Sequence, residues 1–320
     1  MHTVEEFLPA NKIKLLKQQH YALFGHSAVK TCHYTKSAIT EGKMCYKFHF
    51  YGINSHQCIQ MTPASNFCNQ ECTFCWRTLG WSKNDWEKVD PPTEIVDESI
   101  KAHNKLLSGL GHYQDSKRHN MWKLSQTPKH VAISLTGEPT LYPKLPELIE
   151  AYREKGISTF LVSNGTMPDM LEKCKPTQIY ISLDAPNKEL HDKVNRPMGK
   201  DAWDNLNKSL EVMSRHPSRR VIRMTLVKDH NMCDEKGYAQ LIKKAQPDFV
   251  EVKGYSWVGF SRVRLPKGSD PTHAEIVEWA KKLNEHLGYD VAGEVDHSRI
   301  VLLHNKARGI SARINFHEGV

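Results

Sequence analysis

Six of the eight cysteines in this chain stand between positions 32 and 75, as two consecutive triplets. Cys68, Cys72 and Cys75 form C-x3-C-x2-C in the string CNQECTFCW, short enough for a single loop. Cys32, Cys45 and Cys58 precede them with twelve residues between successive members, so several segments must bring these sulfurs together. Three thiolates on a cubic iron–sulfur cluster leave one iron without a protein ligand, and that iron is open to a small molecule. The second triplet suggests a second, equally incomplete centre. Zinc is the alternative, closed by four ligands or left open with three, and His33 or His56 could complete it. A redox or disulfide pair leaves the third cysteine of each triplet unexplained. Cys174 and Cys233 stand apart and read as structural.

The segments around the triplets set the scaffold. Residues 1–57 show little periodicity and read as an N-terminal cap of two or three short helices. Cys58–Ala64 reads as a strand leading directly into the C-x3-C-x2-C loop. Apolar positions from Ile95 to Leu110 recur at helical spacing behind Thr93 as N-cap. Residues 111–128 are polar and read as an exposed loop. Short apolar runs at His130–Leu135, Thr159–Ser163, Gln178–Leu183, Val221–Val227 and Phe249–Lys253 then alternate with helices near 144–155, 202–214, 235–245 and 272–287. That alternation predicts βαβ units on a parallel sheet. Val291–Glu294 and Arg299–His304 read as a closing pair of strands. Polar or glycine-bearing punctuation follows nearly every strand (the cysteine loop, TGEPT, SNGT, LDAP, KGYSW). Strand carboxyl ends are where ligands collect in such folds, so one shared site is expected.

Composition narrows the class further. Charged residues make up 25% and hydrophobic residues 39%, ordinary values for a globular protein. No apolar run approaches the ~18 residues of a membrane span, and the N-terminus lacks the apolar block of a secretory signal. A cytoplasmic protein is expected, whose clustered cysteines bind metal. The net charge of +8, from 44 basic and 36 acidic residues, suits a nucleic-acid partner without requiring one.

The C-x3-C-x2-C loop after a first strand, followed at once by Trp76, resembles the signature of the radical S-adenosylmethionine (SAM) superfamily. The C-x12-C-x12-C array before it, with NFCNQECTFCWR and SLTGEPTLYP, resembles the tRNA 4-demethylwyosine synthase family in its archaeal form. The resemblance implies an α/β fold, a partial (βα)6 barrel at 58–304. An N-terminal cap at 1–57 would carry a second iron–sulfur cluster, and 305–320 would form a tail. It implies two [4Fe–4S] clusters: Cys68, Cys72 and Cys75 hold the one that cleaves SAM, and Cys32, Cys45 and Cys58 hold the other, which chelates pyruvate. Gly137, Glu138 and Pro139 look like the strand-end motif at the SAM amino group. Ser163, Asn164, Ser182 and Asp184 look like ribose and carboxylate contacts, with Arg196 a further candidate and Trp76 beside the adenine.

The family condenses pyruvate with N1-methylguanosine-37 of tRNA(Phe). A 5′-deoxyadenosyl radical takes hydrogen from the methyl group, the carbon radical attacks pyruvate, and decarboxylation with imine closure gives the third ring. Lys47, two residues after Cys45, matches the lysine that forms a Schiff base with the ketone. A lysine attacks a carbonyl only when neutral, a state burial favours and a negative cluster opposes. Lys43 is equally near Cys45 and is the alternative. Eukaryotic relatives carry a flavodoxin-like domain that this chain is expected to lack, so an external donor, flavodoxin or ferredoxin, is expected; separately, a monomer is expected. A base inside an anticodon loop must be splayed out to react. Arg77, Lys83, Arg262, Arg264 and Lys267 are candidates for its phosphates, and Trp81, Tyr255, Trp257 and Phe260 for stacking or barrel-edge packing. Competing readings are another two-cluster radical SAM enzyme, a methylthiotransferase or a peptide maturase, and a zinc-containing RNA-binding protein without catalysis.

Overall fold

Ten strands form one open sheet in the order β1-β2-β3-β4-β5-β6-β7-β8-β10-β9. The computed structural model describes residues 1–80, 86–112 and 116–316. Its centre is six parallel strands in chain order: β3 (Cys58–Thr62), β4 (His130–Ile133), β5 (Ser158–Ser163), β6 (Gln178–Ser182), β7 (Arg219–Leu226) and β8 (Phe249–Gly254). Each is followed by at least one helix, the last being His273–Leu287. The antiparallel β9 (Asp290–Val295) and β10 (Ile300–His304) extend the β8 edge. At the other edge, β1 (Ala22–Phe24) and β2 (Ser27–Val29) form a hairpin, and β2 pairs antiparallel with β3.

Side chains alternate across each strand and divide the interior into two layers. Ile59, Met61, Val131, Ile133, Leu161, Ile179, Ile181, Ile222 and Val252 face the helices and belong to the main core. The alternate set turns inward. Phe160, Tyr180, Val221 and Phe249 pack with Tyr46, Phe50 and Tyr51 of the short helix Tyr46–Tyr51, plugging the interior. Beyond this aromatic layer, apart from Val162, the inward positions lining the cavity are polar, including Gln60, Ser182, Arg223, Thr225 and Lys253. Residues 310–316 close the same end as the plug: Ile314 N–H donates to the Tyr51 carbonyl at 3.0 Å, and Phe316 packs on His130.

Two expectations need correction. The first 57 residues hold helices Ala10–Gln18, His33–Glu41 and Tyr46–Tyr51, as expected, together with the β1–β2 hairpin, which was not. Three-residue strands are too short to show a period of two. The stretch expected as a polar loop contains a helix, Ser116–Ser125. It has no apolar stripe, and the indole of Trp122 tethers it by donating to the Leu107 carbonyl at 3.0 Å. Among the described residues no helix is long and apolar enough to cross a membrane.

Candidate functional site

The loop after β3 carries Cys68, Cys72 and Cys75, and neighbouring strand ends hold it in place. Gly137 has φ +71°, and a Cβ there would lie 1.9 Å from the Ala64 carbonyl oxygen and 2.6 Å from that of Phe67. Only glycine permits this approach. Glu138 N–H donates to the same Phe67 carbonyl at 2.8 Å. From the far side, Glu71 N–H donates to the Asn195 and Arg196 carbonyls, and Thr73 N–H to that of Val194. Arg264 donates to the Thr73 carbonyl at 3.0 Å and also to the Cys75 carbonyl. Arg77 donates to the Gln70 carbonyl at 2.8 Å.

Cys68, Cys72 and Cys75 all line one cavity of about 400 Å³ at the carboxyl ends of the strands. Burial pushes the Cys68 thiol up to about 11 and Cys72 well above its usual range, and the neighbouring cysteines add to the effect at Cys72. Their thiolate forms therefore need positive charge from a ligand, which a polynuclear iron group supplies. Among the described residues, no three Cys, His, Asp or Glu side chains are disposed to share one metal ion. A cubic cluster asks instead for one sulfur per iron corner.

Around the same cavity stand Trp76, Gly137, Glu138, Ser163, Asn164 and Ser182, six of the residues singled out in the sequence. Trp76 stacks on Tyr21 with ring centroids 6.1 Å apart, and Lys30 Nζ lies 5.0 Å from its ring. Three other candidates are not among the lining residues. Pro139 is buried and opens the turn Pro139–Leu141. Asp184 is buried, accepting the Thr225 N–H at 2.8 Å, and burial raises its carboxyl to about 6. Arg196 ends helix Lys188–Asn195 at φ +47° with an exposed side chain, and contributes its carbonyl to the cysteine loop.

Gln60, Arg223, Thr225 and Lys253 also line the cavity, and sequence reasoning missed them. Alternation with apolar neighbours is their one mark in the sequence, and it points them inward only once the helices are known to cover the outer face. Of the residues considered for RNA, Arg264 instead holds the cysteine loop, and Tyr255 is buried with its hydroxyl on Ser261. Trp257 donates to the Leu265 carbonyl, with the Arg262 guanidinium 4.8 Å from its ring. Phe260 N–H donates to the Trp76 carbonyl, and Lys267 is exposed. Trp81 and Lys83 lie outside the described residues.

The upstream cysteines come from three elements. Cys32 precedes helix His33–Glu41, Cys45 precedes helix Tyr46–Tyr51, and Cys58 opens β3. The Thr35 hydroxyl donates to the Cys58 carbonyl at 3.2 Å, and Cys45 N–H to Ser55 Oγ at 2.8 Å. Burial raises Cys45 and Cys58 to about 12, and Cys32 acts on both. Lys47 is 9% exposed, with Nζ 5.1 Å from the Phe160 ring centroid and 4.9 Å from that of Tyr180. Lys43 instead has a 71% exposed side chain paired with Glu41 at 2.9 Å. His56 is buried, while His33 contacts Ser37 Oγ at 3.4 Å. Cys174 belongs to the main core, and Cys233 is exposed.

Comparison with known proteins finds relatives along nearly the whole chain. Residues 118–242 match the radical SAM superfamily model, and residues 244–305 match a model for wyosine base formation. The S-adenosyl-L-methionine-dependent tRNA 4-demethylwyosine synthase of Pyrococcus abyssi is 45% identical over 310 residues, covering 92% of this chain and 89% of that protein. The protein of the same name in Methanocaldococcus jannaschii is 37% identical, covering 96% and 100%. A solved structure of TYW1 with a lysine–pyruvate adduct bound superposes with a TM-score of 0.86 at 36% identity, covering 97% of this chain and 99% of that one. A crystal structure of archaeal TYW1 gives 0.82 at 34%, covering 96% and 100%.

Proposed function

The chain belongs to the tRNA 4-demethylwyosine synthase family of radical SAM enzymes, and on that premise we propose a division of labour between its two cysteine triplets. The family implies SAM and a [4Fe–4S] cluster. Cys68, Cys72 and Cys75 hold that cluster, which supplies the electron for SAM cleavage. Trp76, Gly137, Ser163, Asn164 and Ser182 border the space for SAM. Cys32, Cys45 and Cys58 hold a second [4Fe–4S] cluster, and these half-buried cysteines, whose thiols desolvation raises, fit such a group for the same reason as the first set. The substrates are pyruvate and the N1-methylguanosine-37 of tRNA(Phe), with flavodoxin or ferredoxin as electron donor.

Lys47 holds the keto acid. Its Nζ bonds to the pyruvate C2, the ketone oxygen leaves as water with the two amine hydrogens, and the resulting imine fixes C2 for attack by the carbon radical. The observation that carries this reading is the position of Lys47, two residues after Cys45, with its amine over the Phe160 and Tyr180 rings inside the barrel. The exposed, ion-paired Lys43 has no such access.

Anaerobic incubation of the cluster-reconstituted protein with SAM, labelled pyruvate and methylated tRNA tests the reading. The expected product is a nucleoside carrying the pyruvate label, absent without pyruvate and absent in Lys47→Ala. Product formation without pyruvate, or full activity of Lys47→Ala, refutes it.

A further inference from the structure

The helix that carries Lys47 is short. Tyr46–Tyr51 has six residues, well under the ~12–15 at which an isolated helix becomes marginal in water. Contacts with the barrel must therefore set its depth and its rotation. Backbone groups hold its two ends: Cys45 N–H donates to Ser55 Oγ at 2.8 Å, and Ile314 N–H donates to the Tyr51 carbonyl at 3.0 Å. The grip from inside the barrel comes from one side chain. Glu251 is fully buried on the inward face of β8, between Phe249 and Lys253. Its Oε2 accepts the Tyr46 hydroxyl at 3.1 Å, and its Oε1 accepts the Tyr51 hydroxyl at 2.8 Å. These tyrosines are the first and last residues of the helix, so a single carboxylate is bonded to both of its ends.

Packing alone does not call for a carboxylate here. The other strands fill the same aromatic plug with Phe160, Tyr180 and Val221. Exchanging a buried ionic group for a well-packed apolar one is often neutral or stabilising. Arg223, opposite Glu251 on β7, supplies the counter-charge: burial disfavours the guanidinium, but Tyr46, Glu251 and Tyr180 outweigh burial and raise it. What the carboxylate adds over an apolar residue is direction. Turning the helix by one residue swings its side chains by about 100°, and few rotations bring both hydroxyls to one acceptor. The same rotation decides where the Lys47 amine stands, because Lys47 follows Tyr46 on the same turn. In the rotation that Glu251 selects, Lys47 Nζ lies over the Phe160 and Tyr180 rings rather than in solvent.

We propose, resting on the Lys47 reading, that Glu251 is a positioning residue for the condensation: by accepting both tyrosine hydroxyls it fixes the helix and aims the Lys47 amine into the barrel. Glu251 itself touches no substrate. Tyr46→Phe and Tyr51→Phe each remove one of the two bonds and leave every charge in place. Reconstituted full-length variants are incubated with pyruvate and cyanoborohydride, and the Lys47 adduct is quantified over time by peptide mass. Iron content, 5′-deoxyadenosine release and urea midpoint are measured on the same preparations. Each variant is expected to lower the maximal rate of adduct formation about tenfold, the scale of one hydrogen bond to a charged group. Iron content and 5′-deoxyadenosine release stay as in the parent. Glu251→Gln and Glu251→Leu both strip Arg223 of its counter-charge, so a difference between them reports the acceptor oxygen, and Glu251→Gln is expected to retain more trapping. Where these two do not fold, the tyrosine variants decide alone.

A lower urea midpoint with an unchanged rate of adduct formation assigns Glu251 to stability alone and overturns the positioning role. Parallel loss of adduct and of 5′-deoxyadenosine release places the damage in the whole barrel and overturns it too, as do equal rates in Glu251→Gln and Glu251→Leu. Trapping at the parental rate in both tyrosine variants refutes Glu251 while leaving Lys47 in place. Absence of any adduct in the parent removes the Lys47 reading and the positioning role with it.

Discussion

Glu138 Oε2 accepts the backbone N–H of Asn164 at 2.7 Å, so the carboxylate after β4 anchors the end of β5. Its other oxygen accepts the Thr140 N–H at 3.1 Å and the Thr140 hydroxyl at 2.6 Å. A carboxylate with three donors inside the protein is a brace between strand ends, even where one face borders a cavity. Glu138→Gln keeps one oxygen for one side and turns an NH2 towards the other, either the Asn164 N–H or the two Thr140 donors. We expect this variant to lose about 1–3 kcal/mol of stability and to bind SAM more weakly because Asn164 shifts. Urea denaturation and equilibrium dialysis measure the two effects. A variant as stable as the parent would refute the bracing role.

The tight contact behind Gly137 leads to a prediction about iron. Its missing Cβ faces two backbone oxygens, which cannot rotate away as a flexible side chain would. Gly137→Ala also pays the cost of an alanine at φ +71°. The cysteine loop must move, while the upstream cysteines are untouched. If both triplets hold [4Fe–4S] clusters, reconstituted Gly137→Ala retains roughly half the iron of the parent and does not cleave SAM. Iron analysis and 5′-deoxyadenosine release check this, and full iron content with normal cleavage would contradict it.

Much of this architecture was legible in the chain because parallel strands buried on both faces read as short continuous apolar runs. HVAI, QIYIS and their relatives gave away β4 to β8, and the punctuation after them located the site. The hairpin of β1 and β2 left no such run. Motif order predicted which strand ends gather, yet it could not tell in which direction each side chain points. Asp184 follows β6 and Arg196 ends the helix after it, but one is buried on Thr225 and the other faces solvent. Arg223 and Lys253 were hidden for the opposite reason: a charged residue in an apolar run reads as outward until helices are known to cover that face.

His103, together with the equally lowered His130, contributes an acid limit on stability. It is buried on helix Pro92–Leu107, and burial lowers it to about 4. In the unfolded chain the imidazole returns to about 6.5. Between these values the unfolded state binds more protons, so stability falls as pH drops from about 6.5 to about 4. His103→Leu removes its share of this slope and is expected to lose up to about 3 kcal/mol less than the parent over that interval. Urea titrations of the apoprotein at pH 7, 5.5 and 4 measure the difference. Parallel pH profiles for the two proteins would exclude His103 as the source.

Arg264 and Lys267 look alike in the string SRVRLPKGS, and the structure separates them. The Arg264 guanidinium donates to the Thr73 and Cys75 carbonyls, drawing the end of the cysteine loop towards the segment after β8. Lys267 is exposed, as is Arg262 apart from its contact with Trp257. A phosphate contact releases counterions, so losing one reduces the slope of log affinity against log salt by about 0.7–0.9. If Lys267 and Arg262 meet the tRNA backbone, Lys267→Ala and Arg262→Ala each show that decrease, with iron content unchanged. Arg264→Gln is expected to do the reverse, leaving the salt slope intact while shifting the reduction potential of the loop-bound cluster, because a cation beside Cys75 is gone. Filter binding of tRNA across a salt series and potentiometric titration monitored by EPR are the two measurements. A reduced salt slope for Arg264→Gln at an unchanged potential would return this arginine to the RNA interface and leave the cysteine loop to its other braces.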